Sequence, residues 1–211
     1  MTLYRRSSRI VITPKLWSKY FFYYPQLLVV IGLKHKGKVN FMPVAWSTAL
    51  SYAPFIYGVA IGNDRHSHKM ISRSKSFTVN FVSYSHVHLV RSLGRSTGAE
   101  IDKVKKFRIK YSNAQKVDSP ILNLSYCTFE CIKTGKYMFG DHTFFIGKVA
   151  LIDFDAGVFD DAGLINTAKV APLLYCGIDD YITTNNKTRI SMKNLPFYYK
   201  ERRRVKIEEQ K

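Results

Sequence analysis

Residues 63–70 read NDRHSHKM, a donor-rich polar turn leading into a short segment able to form a helix. Amides at a helix start lack intrahelical acceptors and carry partial positive charge, so such a turn suits an anion, above all a phosphate. Arg65 can clamp phosphate with two parallel bonds and Lys69 can act as a point charge, while Ser67 adds a hydroxyl. Each has a plainer reading as well: Ser67 as the N-cap of the helix HKMISRS, Arg65 and Lys69 as solvated charges in a basic chain. Ser47, Thr48 and Ser51 put three hydroxyls just past a strand end, which taken alone suits ordinary loop. Asn80 lies in SFTVNFV, a strand run where asparagine is depleted, so its amide should bond a cofactor or a neighbouring loop. Trp46 belongs either to a core or to the wall of a ligand site. His142, in GDHTFFIGKVALI, brings an imidazole that could place a substrate or carry a proton, or it could be a satisfied structural histidine.

Other chemistries lack their residues. His66-Ser-His68 and His86-Val-His88 have metal-like spacing without the further ligands a closed site requires, so no metal is expected. The chain has no GxSxG elbow for a hydrolase, no GxGxxG after a strand and no GxxxxGK[ST] phosphate loop. Cys127 and Cys131 share a predicted strand, where four residues of extended chain separate them by about 13 Å, too far for a disulfide. Buried apolar thiols are the expectation.

The elements that must position these residues are mostly strands. Apolar and β-branched runs at 26–34, 39–46, 54–62, 76–82, 122–132 and 142–154 read as six strands. The first two form a hairpin across the turn HKGK, and KTGKYMFGD joins the last two. Short helical segments are predicted at 68–74, 86–93 and 99–107, the last two separated by the turn-forming GRSTG. Many strands with few helices argue for a barrel or sandwich with helical insertions.

With 211 residues, 46% hydrophobic and 14% aromatic, the chain can bury a large core. Its 33 Lys+Arg against 15 Asp+Glu give a net charge of +18, which favours anionic partners without choosing among them. The longest apolar run, 27–33, is too short to cross a bilayer, and the first residues lack the apolar core of a signal peptide, so a cytoplasmic protein with no membrane role is expected. Aromatics interleaved with lysine, as in LWSKYFFYY, raise a basic nucleic-acid-binding barrel as an alternative. Against it, the basic residues are scattered from Arg5 to Lys211 and no RNP-like motif occurs.

In order along the chain, Asn40, Trp46, Ser47, Thr48, Ser51, Pro54, Ser67 and Asn80, then LGRSTGAEIDKVKKF and GDHTFFIGKVALI, resemble the flavin reductase-like, FMN-binding split-barrel family, in particular its flavoredoxin branch. The match runs over 24–155, with a weaker echo at APLLYCG (171–177). The resemblance implies a mainly β fold, a six-stranded split β-barrel of Greek-key type with short helical insertions, as one domain over 1–211. Residues 156–211 would form an extension and a basic tail. It implies FMN (or FAD) held by Trp46, Ser47, Thr48, Ser51, Arg65, Ser67, Lys69 and Asn80, with His142 near the ring as the catalytic residue. A homodimer is implied, with NADH or NADPH as hydride donor and an acceptor protein as a further partner. The same motifs fit a flavoredoxin-type electron carrier with no nicotinamide turnover of its own.

Overall fold

The computed structural model describes residues 21–190 throughout, together with the backbone of two short strands, β1 (Tyr4–Arg6) and β2 (Arg9–Val11). The basic tail from Tyr198 lies outside the described residues. In chain order there follow β3 (Gln26–Leu27), β4 (Val29–His35), β5 (Lys38–Val44), β6 (Ser47–Tyr52), β7 (Phe55–Gly62), helix α1 (His66–Arg73) and β8 (Ser76–Val82). Helices α2 (Val87–Gly94) and α3 (Lys103–Lys106) come next, then β9 (Tyr111–Asn113), β10 (Pro120–Leu122), β11 (Ser125–Phe139), β12 (His142–Phe154), β13 (Leu174–Gly177) and β14 (Asp180–Ile182). No helix among the described residues is long and apolar enough to cross a membrane.

The principal sheet is antiparallel in the order β5-β4-β8-β11-β12-β7-β6. It rolls until β5 touches β7, which gives the split barrel. Both faces of β4 and β8 are covered, so Val29–Leu33 reads as an unbroken apolar run and the polar Thr78 and Asn80 of β8 are buried. Val29, Ile31 and Leu33 of β4 join Val59, Ile61, Phe77, Val79 and Phe145 in one cluster, to which α1 adds Met70 and Ile71. Leu28 and Val30 turn the other way, against Phe41, Val90, Leu93, Leu122 and Leu173. The β4–β5 turn places Lys36 (φ 49°) and Gly37 (φ 74°) in the left-handed region that two-residue hairpins require.

Six predicted strands are present, and the sheet has a seventh. The hydroxyl-rich Ser47–Tyr52 pairs along β7 as an edge strand, its serines and threonine tolerated because much of it faces solvent. Residues 133–139, read as part of a connection, continue β11 as a two-stranded ribbon with β12; Gly140 (φ 56°) makes the turn. Ribbon residues need no apolar alternation, because little core lies under them. The helix predicted over 99–107 shrinks to α3, whose start Asp102 caps by accepting from the Lys105 amide at 3.1 Å.

Cys127 and Cys131 lie in the first cluster, and burial pushes both thiols up to about 12. The opposite face of β11 is buried and polar. Thr128 bonds Asn80, and Glu130 accepts the amides of Gln115 (2.9 Å) and Lys116 (2.6 Å), fixing the loop between β9 and β10.

Candidate functional site

One cavity of about 840 Å³ lies between the β5–β7 side of the barrel, α1, the end of α2 and the β13–β14 hairpin. That size suits a nucleotide-like ligand. Its two ends differ in chemistry.

The first end is a cradle of donors. Helix α1 begins at His66 with Arg65 as its N-cap residue, so Ser67 does not cap it and sits inside the first turn. The Ser67 hydroxyl instead accepts from Asn40 Nδ2 at 2.8 Å, in a buried pair. Facing it is the loop Arg95–Gly98. Gly98 is required there, because a Cβ would stand 2.7 Å from Asn40 Oδ1 and 3.0 Å from the His66 ring. This approach brings Ser96, Thr97 and Gly98 to the same end of the cavity as His66 and Ser67, and among the described residues the amides of these five meet no backbone or side-chain acceptor. Amides without acceptors, gathered at one end of a cavity, suit an anion.

Lys103 lies in the cavity wall, only 3% exposed. Its ammonium donates to Leu93 O at 2.7 Å and Phe41 O at 3.3 Å, and no carboxylate bonds it among the described residues. Burial pulls its pKa down to about 8. A buried cation without a counter-charge is costly, and an anion in the cradle would offset that cost. His66, lining the same end, is held below its usual pKa by burial first and then by Lys103, Lys69 and Lys38.

The other end is aromatic. Trp46 stands at the cavity wall, 38% exposed, so it is not barrel core. Its indole Nε1 donates to Tyr24 Oη at 3.0 Å, and its ring packs 4.5 Å from the His142 imidazole. Tyr24 in turn meets Tyr175 edge-on at 5.7 Å. His142 Nδ1 donates to Asp141 Oδ1 at 2.7 Å, which sets the tautomer and leaves Nε2 as the free ring nitrogen when the imidazole is neutral. That hydrogen bond is the main reason the Asp141 carboxyl is held below its usual range.

Between the ends, Asp179 accepts from Arg91 Nε at 3.2 Å and from Arg95 Nε at 3.0 Å. Ile178 (φ 48°) and Asp179 (φ 67°) form a tight left-handed turn that aims this carboxylate back at α2. Tyr181, beside it, is pushed up to about 12, chiefly by burial.

Of the residues singled out in the sequence, Trp46, Arg65, Ser67 and His142 line this cavity. The others do not. Asn80 is fully buried in the barrel wall, donating to Val30 O and Thr78 Oγ1 and accepting from the Leu122 amide and Thr128 Oγ1. Its amide ties β8 to β4, β10 and β11. Lys69 is exposed, beyond the first turn of α1. Ser47 bonds the Tyr57 hydroxyl at 3.0 Å, Thr48 donates to Ala49 O at 3.3 Å, and neither these two nor Ser51 lines the cavity, because all three stand on the edge strand β6.

Sequence reasoning missed Arg91, Arg95–Gly98, Lys103 and the Tyr24–Tyr175–Asp179 wall. GRSTG was visible as a glycine-flanked turn, and free amides are what such turns leave. Tyr175 lies in the echo APLLYCG, while Tyr24 and Asp179 carry no local signal.

Residues 21–181 match the flavin reductase like domain family. The matched stretch extends past 155 and takes in β13 and most of β14. An uncharacterized protein of Pyrococcus abyssi is 30% identical over 137 residues, 65% of this chain and 78% of that protein. An uncharacterized protein of Archaeoglobus fulgidus is 28% identical over 162 residues, 77% of this chain and 88% of that one. Among solved structures, an FMN-binding protein from Thermus thermophilus with bound 1-cyclohex-2-enone is 28% identical, with a TM-score of 0.76 over 90% of this chain and all of that one. A flavoredoxin from Methanosarcina acetivorans, at 22% identity, shares the fold with a TM-score of 0.77 over 89% of this chain and 97% of that one. A rolled antiparallel sheet, an amide cradle against a buried lysine, and a family match across three quarters of the sequence lead to one conclusion: the chain belongs to the flavin reductase like family.

Proposed function

We propose that the protein binds FMN in this cavity and works as an oxidoreductase that takes hydride from NADH or NADPH. The observation that carries the proposal is the pairing of two chemistries in one space: uncommitted amides with the buried Lys103 at one end, and Trp46, Tyr24 and His142 at the other. The donor set fits a phosphorylated ring. The amides of His66, Ser67 and Ser96–Gly98 would hold the phosphate, with Arg65 and Lys103 balancing its charge. Bound FMN would supply the two-electron chemistry, accepting hydride and passing electrons on.

The residues have separable tasks. Trp46 is held by its bond to Tyr24, so its ring presents a fixed face to the cavity. Asp141 fixes the orientation of His142, whose Nε2 is free to accept a proton or a hydrogen bond from an incoming group. General acid–base help of that kind contributes about a hundredfold or more. Asn63 steadies the same turn, its amide donating to Asp141 O at 2.9 Å.

The test is nicotinamide oxidation by purified protein with FMN. Turnover above that of free flavin is expected, and His142→Asn should lower kcat by about a hundredfold while leaving FMN affinity unchanged. Protein that binds FMN yet oxidises neither NADH nor NADPH would be an electron carrier, and the reductase reading would fail. Full turnover by His142→Asn would remove that residue from the reaction.

A further inference from the structure

The polar network behind the His142 turn has a direction that its atoms fix. Asn63 clamps two consecutive carbonyls of that turn: its backbone amide donates to Asp141 O at 2.9 Å and its side-chain Nδ2 to Gly140 O at 3.2 Å. Donation to a carbonyl places the side-chain nitrogen there, so Oδ1 faces the other way, and Thr143 Oγ1 donates to it at 2.7 Å. A hydroxyl has one proton, and that bond uses it. The 2.9 Å contact between His68 Nε2 and Thr143 Oγ1 must then have the imidazole as donor. Burial first, and then Lys136, hold His68 below its usual pKa, so its ring is neutral at pH 7 with the proton on Nε2.

From this geometry we infer that His68 is a positioning residue for His142, acting through Thr143 and Asn63. The inference deepens the proposed function and rests on it for the task of His142. Backbone pairing of β12 begins at His142, opposite Phe139 and Gly62, and the carbonyls of Gly140 and Asp141 just before it are met by Asn63. Asp141 is the residue that orients the His142 ring, so a fixed turn fixes the imidazole. On the other side of His142 stands Thr143, buried and bonded to both Asn63 and His68. None of His68, Thr143 and Asn63 lines the cavity, so their effect on the reaction passes through His142. The same arrangement accounts for His66-Ser-His68. Residues two apart on a helix do not share a face. His66 lines the cavity, while His68 turns to β12, meeting Thr143 and packing edge-on to Phe145 at 5.4 Å.

The experiment uses the full-length protein with His68→Ala, His68→Gln and Thr143→Val. Glutamine keeps an N–H donor on α1, and valine keeps the shape of Thr143 without its hydroxyl, so Thr143→Val carries the test if His68→Ala does not fold. In flavin-free protein, hydrogen exchange at the Asn63 amide should quicken about tenfold in His68→Ala and Thr143→Val, the worth of one hydrogen bond, and stay near the unsubstituted rate in His68→Gln. With FMN, the first two variants should lower kcat about tenfold at constant nicotinamide KM and constant FMN affinity, and His68→Gln should recover it. Adding His68→Ala to His142→Asn should cost nothing more, because the chain of bonds acts through that imidazole. Unchanged exchange at Asn63 would overturn the inference. Faster exchange with unaltered kcat would overturn it too, leaving His68 a role in the fold alone. A protein that turns over no nicotinamide would end the reductase reading, and the Asn63 amide would then decide by itself whether His68 holds the turn.

Discussion

Lys103 carries a positive charge into a wall where, among the described residues, two carbonyl oxygens receive it. Its folded pKa, about 8, lies below the ordinary 10.5, so the folded protein releases this proton more readily than the unfolded chain. Below pH 8 both states hold the proton, and the empty protein bears the full cost, about 3 kcal/mol at 1.36 kcal/mol per pKa unit. As pH rises from 8 to 10.5 the folded state loses the proton first, and stability should climb. Urea unfolding of flavin-free protein across that window should therefore show a gain that Lys103→Met lacks. FMN binding runs the other way: affinity should hold steady from about pH 7 to 8, where the phosphate is almost fully doubly charged, and weaken above 8, because the phosphate needs the charged lysine. A flat stability profile in the unsubstituted protein would count against the buried cation.

At the scale of elements, the cavity depends on one tether. The β13–β14 hairpin forms a wall through Tyr175, Asp179 and Tyr181, and Asp179 fastens it to Arg91 and Arg95 at the end of α2. Both arginines are more than half exposed, so the ion pairs themselves contribute little to global stability. Their effect is positional: they hold Arg95 beside the amide loop. Asp179→Asn should leave the melting temperature nearly unchanged, speed amide exchange across 174–182, and weaken FMN binding several-fold. Unchanged exchange in that hairpin would show that the tether holds nothing.

The same scale shows what could be read in advance. A strand covered on both faces announces itself where its run is apolar, as over Val29–Leu33 of β4, whereas β8 carries the buried polar Ser76, Thr78 and Asn80 between its apolar residues. The polar edge strand β6 and the ribbon ends of β11 and β12 do not announce themselves, since backbone pairing holds them with little core beneath. Ser67 reads as a cap because capping is a local rule, but the helix starts two residues earlier, at His66, and the hydroxyl is claimed by Asn40, 27 positions away. Asn80 is anomalous for a strand, and its amide bonds Val30 of β4 and Leu122 of β10. Local pattern finds elements; long-range polar partners decide what an isolated polar residue does.

At the scale of the whole molecule, a net charge of +18 raises the local concentration of phosphorylated ligands and makes their capture dependent on salt. The β11–β12 ribbon leaves Tyr137, Met138 and Phe139 largely exposed at its tip, next to the turn that carries His142. Three adjacent large apolar residues in water call for a cover, and we propose a second copy of this chain. Sedimentation equilibrium should then return twice 24.3 kDa, and Met138→Lys should return a monomer. A monomeric native protein would end that proposal.

The most direct test compares FMN with riboflavin, which differ only in the phosphate. Calorimetric titration of the flavin-free protein at pH 7 and moderate salt should show FMN binding at least about a hundredfold more tightly, the combined worth of several charge-assisted bonds. Most of that advantage should vanish in Lys103→Met. Equal affinity for the two flavins, or no binding of either, would contradict the assignment of the amide cradle as a flavin phosphate site.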